Sequence, residues 1–404
     1  MKKIYSTAIA LLGLCASLTG CSEDGFPGSG THRRDPDVIN MSVLLENQST
    51  VAQTRAAEAT LSTLESDGSR FMVWGYFAPD AASATPGNLY VGDSHTVGTV
   101  IGYSGGAWDY KDATKKALWP SVTDPLNFQA VTPYDYGTVT NTPAENIPCV
   151  AMQVTVPSDQ SQQKDLLFGH EEEVTQASHD NSVVLSFEHA MAQIGFQAKK
   201  TLASLSVEVG GITVHNVRNS ATVGYTGALT GSRRALAVSD YAATVGDFAI
   251  DMASPSVSVT SATPVTLNAT DGMLMMIPQS GSSSPDAWNT SASTAVPLTT
   301  ADTEGSEMSY LQVSCKVHSG SSYVIGTPSA FGNIFIPFKA SWNVGCKYIY
   351  TLSFGSGAGG FDADGNPVLS LISYSVESMN DWREAEVSSL PLGSETVTDS
   401  GEIL

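Results

Sequence analysis

The sequence predicts an all-β protein, and three observations support this fold class. Short runs rich in Val, Ile, Thr, Tyr and Phe recur along the 404 residues, and 36 Gly and 19 Pro supply turns between them. No long amphipathic helix and no fixed-period repeat interrupts this pattern. Hydrophobic residues make up 42% of the chain, which suffices for real cores and excludes a disordered or collagen-like protein.

The charge balance is strongly acidic, with 40 acidic against 19 basic side chains and a net charge of -21. Proteins that bind nucleic acid need a basic footprint for the phosphates, so this class of partner is excluded. Only 15% of the residues are charged, while Ser, Thr, Gly and Val are abundant. This composition favours an extracytoplasmic β protein.

Residues 1–20 are predicted to be a signal peptide rather than part of the fold. Lys2 and Lys3 precede an apolar stretch that is too short to span a bilayer as a mature helix. The stretch ends in Leu-Thr-Gly-Cys, which resembles the lipobox of bacterial lipoproteins. This resemblance implies cleavage before Cys21 and lipidation of its thiol, which would hold the chain on outer-membrane lipid.

Cys149, Cys315 and Cys346 remain in the mature chain, an odd number. Cys315 and Cys346 lie on two strand-like runs, so two alternatives are open in an oxidising compartment, a disulfide between them or buried thiols. No Cys-x-x-Cys motif or Cys/His cluster indicates a zinc site, and no cofactor or metal is predicted.

A strand is predicted upstream of the main body of the chain, over Val38–Glu46. Its apolar residues Ile39, Met41, Val43 and Leu45 share one face, as the period of two residues in a strand requires. A short helical turn is expected next, followed by β runs to the C-terminal region. The predicted runs are Ala56–Leu64 (helical turn), Phe71–Phe77, Cys149–Val156, Leu166–Phe168, Val183–Lys199, Leu202–Val217, Met273–Ile277, Tyr310–Val317, Ile334–Phe338, one long strand over Trp342–Phe354, and Leu369–Met379.

Regular short strands without helical partners predict two β-sandwiches. The polar stretch Thr175–Ser182 is the best candidate for the boundary between them. The predicted division is residues 21–55 for a lipidated tether with a removable first strand, 56–180 for an N-terminal sandwich, and 181–404 for a C-terminal sandwich with a tail.

Catalysis finds little support, and the prediction is that the chain is not an enzyme and has no catalytic residues. His170-Glu171-Glu172 and His179 do not give the H-E-x-x-H spacing of a metalloprotease, and they are interpreted as a solvated acidic loop. No G-x-S-x-G elbow, P-loop or Rossmann glycine pattern occurs.

Three further features have a structural and a functional interpretation. Asp362–Asn366 resembles a calcium loop but lacks the ligands of an EF-hand, so a hairpin turn at Asp-Gly is preferred. His189 is predicted to be a hydrogen-bonded core histidine. Trp108, Tyr110 and Trp119 are predicted to pack in a core, although a sugar-stacking platform is the alternative.

An ordered set of motifs resembles the fimbrillins, specifically the minor-fimbrillin-like surface lipoproteins of anaerobic Gram-negative bacteria. The likeness covers nearly the whole mature chain. The matching motifs are the lipobox at Cys21, Thr54-Arg55-Ala56, Phe71–Tyr76, Trp119-Pro120, Leu126–Ala130, Phe187–Ala190, Met276–Gln279, Trp342–Tyr350, the Asp364-Gly365 turn and Trp382.

The resemblance implies two transthyretin-like β-sandwich domains in tandem and assembly by donor-strand exchange in a fimbrium at the cell surface. In the family, an arginine-specific protease removes the first strand, and another subunit supplies a strand to the groove. Arg55 is the predicted cleavage site because a cut there detaches Val38–Glu46, whereas cuts at Arg33 or Arg34 release only the tether.

The implied partners are other fimbrial subunits in a homo- or hetero-polymer and an arginine-specific surface protease, with an unidentified adhesion ligand. Stalk and tip positions in the fimbria both remain open. The main alternative function is a monomeric surface glycan-binding lipoprotein or a fimbrial tip adhesin. A glycosidase or peptidase is a third alternative that no motif favours.

Overall fold

The fold is built almost entirely of β-strands, which confirms the predicted class. The structure is a computed structural model. It describes residues 37–45, 59–79, 87–141, 149–178, 182–230, 233–269, 272–288, 308–355, 360–362, 372–379 and 387–389. Helical structure within these residues is limited to α1 (Leu61–Leu64) and the 3-10 turns Ala113–Lys115, Gln160–Gln162 and Gly281–Ser283. No helix in this described part is long and apolar enough to cross a membrane.

The strands are numbered in chain order. The first ten are β1 (Asn40–Leu45), β2 (Arg70–Phe77), β3 (Leu89–Val91), β4 (Thr99–Ser104), β5 (Ala107–Tyr110), β6 (Leu126–Thr132), β7 (Gly137–Asn141), β8 (Val150–Thr155), β9 (Leu167–Val174) and β10 (Ser182–His189). The others are β11 (Ala192–Lys200), β12 (Ser206–Arg218), β13 (Ser220–Thr230), β14 (Arg233–Ser239), β15 (Val245–Ala249), β16 (Val257–Val259), β17 (Val265–Thr266), β18 (Leu274–Met276), β19 (Tyr310–Ser319), β20 (Ser322–Ile325), β21 (Gly332–Pro337), β22 (Lys347–Phe354), β23 (Ile372–Met379) and β24 (Val387–Ser389).

These strands form four sheets. Sheet I has the order β1-β10-β9-β6-β2-β4-β5, with β3 also paired to β2. Sheet II is β17-β11-β22-β23-β24 with β18 on β11, and sheet III is β15-β12-β19-β20 with β16 on β12 and β21 on β19. Sheet IV is β14-β13-β8-β7. Two pairs are parallel, β1 with β10 and β11 with β22.

The central strands of sheet I are buried on both faces, which explains the continuous apolar run that predicted β2. Phe71 and Val73 point into one core, here called the first core, while Trp74 and Tyr76 point into the other, the central core. The first core lies against β1, β5 and β10. Its other large members are Ile39, Met41, Leu45, Trp108, Tyr110, Trp119, Phe128, Leu167, Leu185 and Phe187.

The central core includes residues from both sides of the predicted boundary at residue 180. Trp74 and Phe168 of sheet I share it with Met152 of β8 and Tyr225 of β13. The polar stretch Thr175–Ser182 is the connection between β9 and β10, two neighbours in sheet I. The chain leaves sheet I for β7 and β8 of sheet IV, returns to it for β9 and β10, and then continues into the other sheets. The division into two tandem domains stays a prediction.

The structure decides two sequence interpretations in the C-terminal part. The long strand over Trp342–Phe354 is wrong as a single strand, because β22 begins at Lys347, after Gly345 with φ 64°. Trp342 is still buried, and its indole donates to the Tyr350 hydroxyl at 2.9 Å. No disulfide joins Cys315 and Cys346 in the described structure, and both thiols are buried.

The preferred interpretations of His189 and the three aromatics are confirmed. His189 is buried, and its Nδ1 lies 2.7 Å from Asp165 Oδ2. Trp108, Tyr110 and Trp119 are buried in the first core, so the exposed sugar-stacking platform is wrong. The Asp364-Gly365 turn and Trp382 lie outside the described residues, as does most of the Asp362–Asn366 stretch.

Candidate assembly site

Strand β1 occupies one edge of sheet I and pairs with β10 in parallel. The register runs from Asn40 opposite Ser182 to Leu45 opposite Phe187. A parallel partner cannot be joined by a tight hairpin, and here β1 and β10 are far apart in sequence. Strand β1 therefore completes the edge of sheet I without being joined to its partner strand by a local turn.

One face of β1 is a row of buried apolar side chains. Ile39, Met41, Val43 and Leu45 are 0–8% exposed, whereas Leu44 on the opposite face is 49% exposed. This confirms the predicted face. At ~1.5–3 kcal/mol for each buried side chain, the row contributes about 6–12 kcal/mol before the cost of ordering the strand.

The segment that leads into β1 also contacts the opposite edge of sheet I. The Ile39 amide donates to the Ala117 carbonyl at 2.9 Å, and the Trp119 amide donates to the Asp37 carbonyl at 2.9 Å. The Tyr110 hydroxyl donates to the Ile39 carbonyl at 2.9 Å. Burial raises the pKa of Tyr110, so this hydroxyl keeps its proton and remains a donor. The segment thus closes the first core between β10 and the β5 side.

Loss of β1 would open a defined groove. Val183, Leu185 and Phe187 of β10 share the first core with the β1 side chains, together with Trp108 and Tyr110. One edge of β10 would lose its backbone partners over the whole register of six residue pairs. An unpaired, apolar strand edge is a template for the addition of another strand.

The first described residue after Arg55, Ala59, is held by a hydrogen bond to the body of the protein. The Ala59 amide donates to Asp165 Oδ2 at 2.9 Å, and the same oxygen contacts His189 Nδ1 at 2.7 Å. His189 is the last residue of β10. Asp165 therefore holds the chain downstream of Arg55 to the end of the strand that β1 covers.

The two predicted site residues, Cys21 and Arg55, lie outside the described residues, as do Arg33 and Arg34. Their roles stay predictions. Sequence reasoning found β1 and its buried face but missed its parallel partner and the Tyr110 contact. Neither has a local sequence signal, since Tyr110 is 71 residues from Ile39.

The acidic run at Glu171–Glu173 is not a solvated loop, and that interpretation was wrong. Its residues are part of β9, where His170 is 5% exposed. Arg234 of β14 donates to Glu172 through both Nε and Nη2, the latter at 2.8 Å. The Tyr225 ring packs edge-on against His170 with centroids 5.5 Å apart. A buried ion pair links sheets I and IV at this point.

The cluster formed by His170, Glu172, Tyr225 and Arg234, here called the His170 cluster, predicts a pH dependence of the free energy of unfolding. Burial, with the nearby Arg234 charge, lowers the pKa of His170 to about 4. An unfolded histidine titrates near 6.5, so the unfolded state binds the extra proton first as the pH falls. We expect the titration of His170 to lower the free energy of unfolding by about 2–3 kcal/mol between roughly pH 6.5 and pH 4.

The matched variant is His170→Gln, which removes the titration but keeps a polar side chain. Urea denaturation at several pH values should show that the free energy of unfolding declines less steeply with falling pH in this variant than in the native protein. Burial raises the pKa of Glu172, and this acts in the opposite direction over the same pH range in both proteins, so it cancels in the comparison. Identical pH profiles for the native protein and the variant would contradict the assignment.

The described residues contain no group of three or more His, Cys, Asp or Glu side chains placed to hold a metal ion. The buried His189–Asp165 pair and the His170 cluster are each packed between strands. Their contacts serve the packing of sheets I and IV and the attachment of Ala59.

The fold and the site together define a multi-sheet β protein whose N-terminal strand completes the edge of its first sheet. The chain belongs to the Fimbrillin-like family, whose sequence profile matches residues 54–377. The match begins beside Arg55, and β1 lies before it. A comparison with curated proteins gives no match.

Two solved structures of Bacteroides proteins are similar to this chain. A fimbrial protein from Bacteroides vulgatus superposes with a TM-score of 0.52 at 15% identity, covering 78% of this chain and 94% of that chain. A candidate cell adhesion protein from Bacteroides ovatus gives a TM-score of 0.40 at 12% identity, with 89% and 100% covered. The first of these likenesses supports the fold and nothing further.

Proposed function

We propose that this protein is a non-enzymatic structural subunit of a fimbria at the cell surface and contributes to adhesion. Family membership supports the role of fimbrial subunit. In this proposal β1 fills the groove beside β10 until the chain is cut at Arg55. A strand of another subunit then replaces it. Cys21 anchors the uncut chain to outer-membrane lipid.

The observation that carries the proposal is the position of β1. Residues 39–45 bury four apolar side chains in the first core, yet among the described strands β1 pairs only with β10, at an edge and in parallel. Arg55 lies between β1 and the anchored Ala59, so one cut separates the strand from the body of the protein. The free energy lost with β1 becomes available to an incoming strand of the same pattern.

The direct test is treatment of the purified chain with an arginine-specific protease. We expect the monomer to lose its N-terminal segment and to form ladders on native gels and filaments in negative-stain electron microscopy. Exchange of an edge strand needs cleavage first, because the intact strand occupies the groove at a high effective concentration.

The alternative is a glycan-binding lipoprotein that stays monomeric. A chain that is cut at Arg55, retains its fold and remains monomeric at high concentration would favour that alternative. The Arg55→Ala variant is the control, since it should stay monomeric under the same treatment.

A further inference from the structure

Two clefts meet on the surface of the N-terminal part of the chain, and Arg70 and Tyr134 line both. One has a volume of about 410 Å³ and extends past Leu64 and Asp135 to Lys164. The other has a volume of about 380 Å³ and extends past Thr99 and Asp93 to Lys111 and Lys115. Together they form one two-lobed depression, here called the Arg70 cleft.

Most of the basic residues in the described N-terminal part of this acidic protein line the Arg70 cleft. The chain has five basic residues between positions 59 and 178, and four of them line the cleft. They are Arg70, Lys111, Lys115 and Lys164. The fifth, Lys116, lies outside it and pairs with Asp109 at 3.1 Å.

Two of these four cations already have partners. Lys115 Nζ lies 2.6 Å from Asp93 Oδ1, and Lys164 Nζ lies 3.3 Å from Asp135 Oδ1. Arg70 and Lys111 have no carboxylate within 4.0 Å among the described residues. The exposed cations that remain are therefore these two.

Arg70 and Lys111 are neighbours on the same side of sheet I. Arg70 of β2 lies directly opposite Gly102 of β4. The methylene groups of Lys111 cross Gly102 so closely that a Cβ atom there would clash with them. The two like charges repel each other, and this electrostatic repulsion is offset when an anionic group binds between them.

Tyr134 gives the junction of the two lobes an aromatic surface. Tyr134 is half-buried against the central core and lines both lobes. Asp93, Asp112 and Asp135 are exposed around it. Aromatic faces pack against sugar rings, and carboxylates accept hydrogen bonds from hydroxyl groups.

We propose that the Arg70 cleft binds an oligosaccharide that carries carboxylate groups, a uronate-type glycan. A single carboxylate would bind between the guanidinium of Arg70 and the ammonium of Lys111, where a bidentate pair with arginine is favourable. Because the two unpaired cations act together on one carboxylate, the cleft suits a ligand that carries a single carboxylate on each sugar ring. Asp93 and Asp135 already neutralise Lys115 and Lys164, so a peptide with a carboxylate on every residue would find no further cation for its other charges and would meet the exposed carboxylate of Asp112.

The test is isothermal titration calorimetry with hexagalacturonate on the full uncut chain at low salt. We expect binding that falls at least tenfold in the Arg70→Gln/Lys111→Gln double variant and also falls in Tyr134→Ala. The control Lys116→Gln removes one positive charge outside the cleft and should stay within about twofold of the native affinity. Methyl-esterified hexagalacturonate should bind at least tenfold more weakly than the acid.

Three results would overturn the assignment, provided that thermal unfolding shows the variants to be folded. They are no binding of hexagalacturonate, an equal loss with Lys116→Gln, and binding of hexaglutamate as tightly as the sugar. The inference names a ligand for the proposed adhesive role. Because it is measured on the uncut monomer, its failure is separate from a failure of strand exchange.

Discussion

Replacement of Arg55 by Ala is expected to abolish fimbriae on cells that carry this chain as their native copy. Without the cut, β1 keeps its pairing with β10 and its four buried side chains, and no incoming strand can enter the groove. The expected effect is close to all-or-none, and electron microscopy of whole cells measures it as the number of fimbriae per cell.

The matched control is the double variant Arg33→Ala/Arg34→Ala. It also removes arginines upstream of the body of the protein, but a cut at those positions releases only the tether and leaves β1 attached. Fimbriae on these control cells should be as numerous as on native cells. Normal fimbriae on Arg55→Ala cells would contradict cleavage at this residue.

Ile39→Asp is expected to be the most destabilising single substitution in residues 39–45, the segment made of Ile39 and β1. Ile39 is 0% exposed in the first core, so the new carboxylate would be buried without a partner. We expect a loss of about 4 kcal/mol or more in the free energy of unfolding, measured by urea denaturation of the uncut chain. If this variant does not fold, Ile39→Ala gives a graded value of about 2–5 kcal/mol.

Leu44→Asp provides the control because it introduces the same charge in the same strand. Leu44 is 49% exposed on the outer face, and its change should cost within about 0.5 kcal/mol. Similar losses for the two substitutions would mean that β1 does not bury one specific face in solution.

The sequence predicts which face of a strand is buried, but it does not predict which strands pair with each other. Alternation identified Ile39, Met41 and Val43 as the buried face of β1, because side-chain direction is a local property with a period of two residues. The parallel pairing with β10 depends on residues more than a hundred positions away, and alternation alone does not select a partner.

The acidic run in β9 shows a second limit of sequence reasoning. Consecutive charges usually indicate a solvated segment, so the sequence does not predict that Glu172 takes part in a buried ion pair. Its partner Arg234 is 62 residues further along the chain, on a strand of another sheet. The Arg70 cleft was missed in the same way, since its cations are scattered from residue 70 to residue 164 and only the fold collects them.

The central claim is that β1 leaves its groove when the protein assembles. Intact-mass spectrometry of the subunit isolated from native fimbriae tests this claim most directly. The account predicts a chain that begins at Ala56, just after Arg55, and lacks Val38–Glu46. A fimbrial subunit that still begins at Cys21 and retains β1 would contradict it.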